Sequence, residues 1–286
     1  PFIVRFRRPG HSLPLGISLI IGGQFLFAAM GVGVRFLAAE VPNEVLVFFR
    51  NILGLVLLAP WLLMDGLPSL RTQIPHLHLL RGVAGLAAMY CFYFALMHLP
   101  LAEAMVLFLS APLYIPLIGL IWLKEPVPGK VWLAVALGFG GVLIIIRPSL
   151  EGITTPAAIA LLGGFFAAIV QVTIRRLARS ESTFRIVFYF AFTGVLLSGL
   201  PLTWAWSTPS PRNFAWLLAI AVFSTLGQIC LTQGLSMANV ARMGIFSYFS
   251  VIFGAAFGWL LWEEPITSWK VAGSVLIVLA GLLAGG

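Results

Sequence analysis

The sequence predicts an all-α integral membrane protein: ten transmembrane helices arranged as two inverted five-helix repeats, with the N and C termini cytoplasmic. Three observations carry that expectation. Of 286 residues, 60% are hydrophobic and only 9% charged, whereas a soluble domain has roughly a quarter of its residues charged. The apolar residues form long continuous runs, and about 20 such residues span a bilayer as a helix. The chain also matches itself when it is slid by 139 residues. So apolar a composition excludes a soluble enzyme, a nucleic-acid-binding domain and a disordered chain. The runs are too continuous for the alternating strands of a membrane barrel. Helices are left, because lipid cannot satisfy exposed backbone groups.

Charges, prolines and turn residues bound the ten runs. The first, 13–37, follows Arg5, Arg7 and Arg8. It outlasts the roughly 7–15 apolar residues of a signal peptide, so it is read as a retained span. The second, 45–64, closes on Trp61, and a loop from Asp65 to Leu77 leads to the third, 78–97. The fourth, 101–123, starts after Pro100 and ends at the Lys124-Glu125-Pro126 turn. The fifth, 130–147, runs from Lys130 to Arg147. The sixth, 156–174, precedes a basic loop from Arg175 to Thr183, and the seventh, 184–206, ends on Trp204 and Trp206. The eighth, 214–235, carries Trp216 near its start. The ninth, 240–262, ends on Trp259 and Trp262 before Glu263-Glu264-Pro265, and the tenth, 269–284, opens on Trp269. With Trp122 and Trp132, all nine tryptophans lie near predicted helix ends, where amphipathic rings meet the membrane surface.

The formal net charge of +8 comes in short clusters between apolar runs rather than as a basic stripe. It therefore reads as topology. A cytoplasmic N-terminus places Arg5, Arg7, Arg8, Arg71, Arg81, Lys124, Lys130, Arg175, Arg176, Arg179, Arg185 and Arg242 inside. Arg35, Arg50, Arg147, Arg212 and Lys270 then fall outside, a split of 12 to 5 that the positive-inside rule favours. Cys91 and Cys230 lie mid-run and read as small packing residues, not as a disulfide or metal site.

In the 139-residue register, Phe27-Ala28-Ala29 falls on Phe166-Ala167-Ala168, Cys91 on Cys230, Leu96 on Leu235 and Gly119 on Gly258. Glu125-Pro126 falls on Glu264-Pro265. The halves are residues 1–148 and 149–286, with five runs each. An odd number of spans inverts the second half, so the Lys124 turn is cytoplasmic and the Glu264 turn external. Inverted repeats are common in secondary transporters, where substrate binds between the halves.

The motifs then point to a family. Phe94-Ala95-Leu96, Leu99-Pro100-Leu101-Ala102-Glu103-Ala104, Pro112-Leu113-Tyr114, Trp122-Leu123-Lys124-Glu125-Pro126 and the glycines from Gly138 to Gly141 mark the first half. Gly234-Leu235 through Ala241, Trp262-Glu263-Glu264-Pro265 and Gly273 through Gly281 mark the second. Each half resembles an EamA-type module of the drug/metabolite transporter superfamily, most like the aromatic amino-acid and paraquat exporters. The second half departs from the pattern with Val251 where the first has Pro112, and with Arg242 opposite Glu103. The resemblance implies a multi-pass exporter of the bacterial inner membrane.

Polar and aromatic residues inside the runs are the candidate cavity, since burying them in lipid is costly. The eighth run carries Ser224, Gln228 and Thr232 on one helical face. Tyr90 and Phe94 in the third run, Phe108 and Ser110 in the fourth, and Ser247 and Tyr248 in the ninth join them, with Gln24 and Tyr189. Such a lining suits a flat, amphipathic solute, amino acids with aromatic side chains among them. Helix-packing roles compete at each position.

Arg50, His98, Glu103 and Arg242 are the candidates for gating or coupling. For Arg50, snorkelling or pairing with Glu40 or Glu44 ranks above a substrate contact. Glu103 caps the fourth helix or couples protons, and Arg242 opposes its helix dipole. His76 and His78 read as solvated, and the Glu-Pro turns as structural. No P-loop occurs, so gradients must supply any energy. The expected partners are a small-molecule substrate and the lipid bilayer, with no nucleic acid, no cofactor and no metal, in a monomer. A membrane-embedded transferase, an exporter of cationic drugs and a passive channel are the alternatives. The first lacks an acid–base or metal constellation.

Overall fold

The computed structural model describes residues 13–146, 154–265 and 267–285, and every regular element among them is helical. Helix α1 covers Leu13–Leu37, α2 Asn43–Asp65 and α3 Pro75–His98. Helices α4 (Leu101–Phe108) and α5 (Ala111–Ile118) run into a π turn at Gly119–Leu123, and α6 covers Gly129–Ile146. The second half has α7 (Thr155–Leu177), α8 (Thr183–Ser198), the single turn α9 (Leu202–Ala205) and α10 (Pro211–Met237). It closes with α11 (Val240–Gly244), a 3-10 turn at Ile245–Tyr248, α12 (Phe249–Trp262) and α13 (Ser268–Gly285). Arg5, Arg7, Arg8 and Arg147 lie outside the described residues.

These elements fall on the ten apolar runs, and local chemistry explains their starts. Ser182 accepts a bond from the Arg185 N–H at 3.3 Å and Ser210 from the Asn213 N–H at 3.2 Å. Asn239 accepts from the Ala241 N–H at 2.9 Å. Each satisfies a donor the first helical turn leaves open.

Three runs expected to be continuous are broken. Pro112 has no N–H to bond residue 108 and its ring crowds that carbonyl, so α4 ends and α5 begins afresh. Ser110, at the break, donates to the Leu161 carbonyl of α7 at 3.4 Å. Pro201 separates α8 from α9 in the same way. In the ninth run the 3-10 turn carries Tyr248 onto α6 at Gly138, where an added Cβ would lie 2.4 Å from the ring.

Six helical stretches among the described residues are long and apolar enough to cross a membrane: Leu13–Leu37, Asn43–Met64, Pro75–His98, Thr155–Leu177, Pro211–Met237 and Val240–Trp262. Four shorter apolar helices, Ala111–Leu123, Gly129–Gly141, Thr183–Ser198 and Val271–Ala280, occupy the other runs. Large apolar side chains face outward, with Leu63 85% and Ile121 78% exposed, which water would penalise and lipid does not.

The halves exchange helices. Helix α1 packs chiefly on α10, and its counterpart α7 packs chiefly on α3. Helices α2 and α8 meet each other, as do α6 and α13. The last pair approaches so closely that a Cβ at Gly141 would lie 2.6 Å from the Gly273 carbonyl oxygen, as small residues permit between membrane helices. The buried core therefore lies between the halves rather than within each.

The two Glu-Pro turns share one geometry. Lys124 and Glu263, the residues before the matched glutamates, both adopt left-handed backbone with φ 54°. The glutamates then reach into the opposite half. Glu125 accepts from Arg175 Nε of α7 at 3.0 Å and from Arg179 at 3.4 Å, and also meets the Val240 N–H. Glu264 accepts from Arg35 Nη1 of α1 at 2.7 Å. Glu125 touches the first residue of the α11–α12 stretch and Glu264 lies just beyond its last. The Glu264 carboxylate folds back beside Gly258, and the two ion pairs thus lie toward opposite ends of that stretch.

Candidate functional site

Between the halves lies a cavity lined by residues of both. Gln24 and Phe27 of α1, Arg50 of α2 and Arg81 and Phe92 of α3 line it. Tyr93 of α3, Phe108 of α4, Gln171 of α7, Phe190 of α8, Ser224 and Gln228 of α10, and Ser247 and Ser250 complete the polar and aromatic surface. Methionines 30, 89 and 105 fill the gaps between rings. Helices α6 and α13 contribute none of the described lining residues.

Arg50 does not snorkel and does not pair with Glu40 or Glu44. It is 3% exposed, donates from Nε to Ser224 Oγ at 3.0 Å and from Nη1 to Asn51 Oδ1 at 2.9 Å. The reason is depth: it sits two turns into α2 on the face toward α10, away from the acidic residue of the first helical turn. Asn51 is itself fixed by donating to the Val47 carbonyl at 2.9 Å.

Arg81 is the residue that the sequence hides, since its charge reads there only as a topology signal. It is 1% exposed and donates from Nη2 to Gln228 Oε1 at 2.7 Å. Its guanidinium carbon lies 4.0 Å from the centroid of the Phe190 ring, and that of Arg50 lies 4.9 Å from the same centroid. Both contacts are within cation–π range. The signal that could have found it is Pro75, a residue type favoured in a first helical turn. Helix α3 begins there, which puts Arg81 about 9 Å inside the helix rather than at its edge. Arg81, Gly85, Ala88 and Phe92 share one α3 face, and all four line the cavity.

The other candidates divide. Gln24 donates to Ser247 Oγ at 3.4 Å, and Phe108 lies against Phe92 with centroids 4.4 Å apart. Six of the residues expected from the sequence therefore line one cavity: Gln24, Arg50, Phe108, Ser224, Gln228 and Ser247. Thr232 is fully buried below that lining, its hydroxyl without a partner among the described residues. Tyr90 and Tyr248 also bury unpartnered hydroxyls away from the lining. Ser110 is held at the α4–α5 break. Phe94 stacks on His98 with centroids 4.1 Å apart at the exposed C-terminal end of α3. Arg242 is half-buried in α11, and the side chain of Glu103 lies outside the described residues.

Tyr189 belongs to a second polar cluster. Its hydroxyl donates to the Leu70 carbonyl at 2.8 Å, and its ring lies 4.5 Å from that of His78. His78 is buried rather than solvated, because α3 starts three residues before it and turns it toward α8. Its Nε2 is 3.8 Å from Glu181, which also accepts from Thr72 Oγ1 at 2.6 Å and from Arg185. Among the described residues, no group of three or more His, Cys, Asp or Glu is placed to hold a metal ion.

Comparison with known proteins agrees with this architecture. The model of the EamA-like transporter family matches the chain twice, over residues 14–147 and 154–285. The chain belongs to the EamA-like transporter family. Its relatives include the pseudopaline exporter CntI of Pseudomonas aeruginosa, 34% identical over 271 residues, covering 94% of this chain and 95% of that one. A riboflavin transporter of Brucella anthropi is 27% identical, covering 90% and 93% of the two chains. An S-adenosylmethionine uptake transporter of Rickettsia felis is 23% identical, covering 93% and 91%. A solved crystal structure shares the fold with a TM-score of 0.76 at 18% identity, covering 93% of this chain and 96% of that one. The protein is a small-molecule transporter of a membrane and not an enzyme. The named cargoes differ widely, and none is an aromatic amino acid or paraquat.

Proposed function

We propose that the protein is a secondary exporter of small amphipathic metabolites that carry a carboxylate, amino acids with aromatic side chains included, across the bacterial inner membrane. In this reading ten spans form two oppositely inserted halves, both termini are cytoplasmic, and the cavity opens to each side in turn. Arg50, Gln228 and Ser224 hold polar groups of the solute, and the phenylalanines take its flat body.

The observation that carries the reading is a cavity between the halves, bracketed by exchanged ion pairs at both ends, Arg175–Glu125 and Arg35–Glu264. Opening either end separates one of the pairs while the other persists. Each is part-buried and is worth about 1 kcal/mol, the upper range for exposed pairs, so each is strong enough to bias an equilibrium and weak enough to release. Export, rather than uptake, follows the direction named for the relative at 34% identity.

The test is counterflow in proteoliposomes. Purified protein should exchange labelled phenylalanine or another labelled amphipathic acid with saturation, which a pore does not show. Gln228→Ala, which strips Arg81 of its hydrogen-bond acceptor, should lower that flux about tenfold, as expected for a lost charge-assisted bond. Unchanged flux removes Gln228 from the site, and non-saturable flux removes the transporter mechanism.

A further inference from the structure

The lining of the cavity contains two buried guanidinium groups and, among its described residues, no carboxylate. Both cations lie against the ring of Phe190, less than a nanometre apart. Buried charges are normally paired, because removing one from water is costly. Here the hydrogen-bond partners among the described residues are neutral: Ser224 and Asn51 for Arg50, Gln228 for Arg81. The Nε and Nη1 donors of Arg81 are buried and have no acceptor among the described residues. An arginine presents five donors in a fork matched to carboxylate geometry, and only one edge of this fork is engaged.

The surroundings hold the arrangement in place. A Cβ at Gly85 would lie 2.3 Å from Arg81 Nη1 and 2.7 Å from the Phe190 ring, so glycine at that position is what lets the guanidinium lie there. Among the described residues the site holds two cations and no counter-charge.

We propose that the transported solute supplies it: a small organic dianion, with two acid groups on a flat apolar body, one acid group for Arg81 and one for Arg50. The assignment rests on the transport reading above and narrows its substrate class from carboxylate-bearing to doubly anionic. A zwitterionic amino acid meets the site less well. It brings one carboxylate, and its ammonium finds no carboxylate among the described lining residues.

The experiment compares probes that share a phenyl body and differ in charge: phenylsuccinate, phenylalanine and phenethylamine, with potassium sulfate as an inorganic dianion at matched ionic strength. The readout is the melting temperature of the purified protein, which rises with a ligand that binds the native state. Phenylsuccinate should raise it at concentrations about tenfold lower than phenylalanine, and phenethylamine should not raise it. In Arg81→Gln the phenylsuccinate effect should be lost, and in Arg81→Lys, which keeps the charge without the fork, it should survive weakened. Should Arg81→Gln fail to fold, Arg50→Gln and the comparison of probes on the unaltered protein decide the matter. Equal shifts for all organic probes, a preference for the amine, no shift with phenylsuccinate, or an equal shift with sulfate each overturn the proposal. Saturable phenylalanine counterflow without phenylsuccinate binding refutes the dianion and leaves the transporter standing. Phenylsuccinate binding without any counterflow refutes the transporter and, with it, the dianion as a transported solute, leaving only a dianion-binding cavity.

Discussion

Cys91 of α3 packs on Gly163 of α7 so closely that a Cβ on the glycine would lie 2.8 Å from the cysteine's own Cβ. The second half repeats the contact: a Cβ on Gly23 of α1 would lie 3.3 Å from the Cβ of Cys230. Each cysteine is a free thiol, and each meets a glycine of the other half. Similar contacts thus recur between the halves at the matched cysteines, although the two glycines stand one position out of the 139-residue register.

Gly163→Ala should therefore destabilise the protein. The new methyl also meets Phe108 at 3.0 Å, and overpacking of this kind costs about 1–3 kcal/mol. Cys91→Gly in the same chain should recover part of the loss, because the two sites share a contact. Thermal melting in detergent checks both; additive losses would show that the contact is not the cause.

Gly85→Ala should impair transport more than folding. The added methyl competes with Arg81 Nη1 for its space and turns the guanidinium away from Gln228. A flux at least about tenfold lower is expected, the loss of one charge-assisted bond, in protein that still elutes as a single species. Proteoliposome counterflow measures the first and size-exclusion chromatography the second.

Thr232 and Ser224 lie on one face of α10 yet should respond in opposite ways. The Thr232 hydroxyl is buried without a partner among the described residues, and such a group costs about 1–3 kcal/mol to keep from water. Thr232→Val should leave flux unchanged and hold or raise the melting temperature. Ser224→Ala removes the acceptor of Arg50 Nε and should lower flux several-fold. Equal behaviour of the two variants contradicts the placement of the cavity wall.

The end pairs should act as opposed latches. Glu125→Gln weakens the contact to Arg175, and Glu264→Gln the contact to Arg35. With Cys91 and Cys230 replaced by alanine and a reporter cysteine at Ser247, each variant should speed labelling from its own end of the bundle only. A change of about fivefold corresponds to about 1 kcal/mol. Faster labelling from both ends in either variant argues against latches.

Much of the fold is legible in the sequence because membrane helices are limited by their flanks. Long apolar runs leave little freedom, and charges, tryptophans and the Glu-Pro turns mark where each must stop. Even two of the three breaks have a visible cause, Pro112 and Pro201, whose missing N–H groups end a helix wherever they fall. The cavity is legible only in part. Gln24, Ser224, Gln228 and Ser247 stand out because a polar group inside an apolar run is conspicuous. Gln171 meets the same criterion near the end of the sixth run, whereas Phe190 has no such mark, since nothing in a single helix says which of its faces another helix will leave open. Arg81 and His78 are misjudged for a different reason: the apolar run starts at 78, three residues after the helix itself begins at Pro75. Both residues therefore look, from sequence, as if they lay at the membrane edge. Tyr90, Thr232 and Tyr248 share the run and residue types of the lining, yet helix packing turns their hydroxyls into neighbouring helices.

Alternating access requires two halves inserted in opposite senses around the cavity. In a chain lacking Cys91 and Cys230, single cysteines at Lys124 and Glu263, the two left-handed turn residues, can be labelled with an impermeant maleimide in intact cells and in inverted vesicles. The cysteine at 124 should react only from the cytoplasmic face and that at 263 only from the outer face. Reaction of both from one face contradicts the inverted pair and, with it, alternating access between the halves.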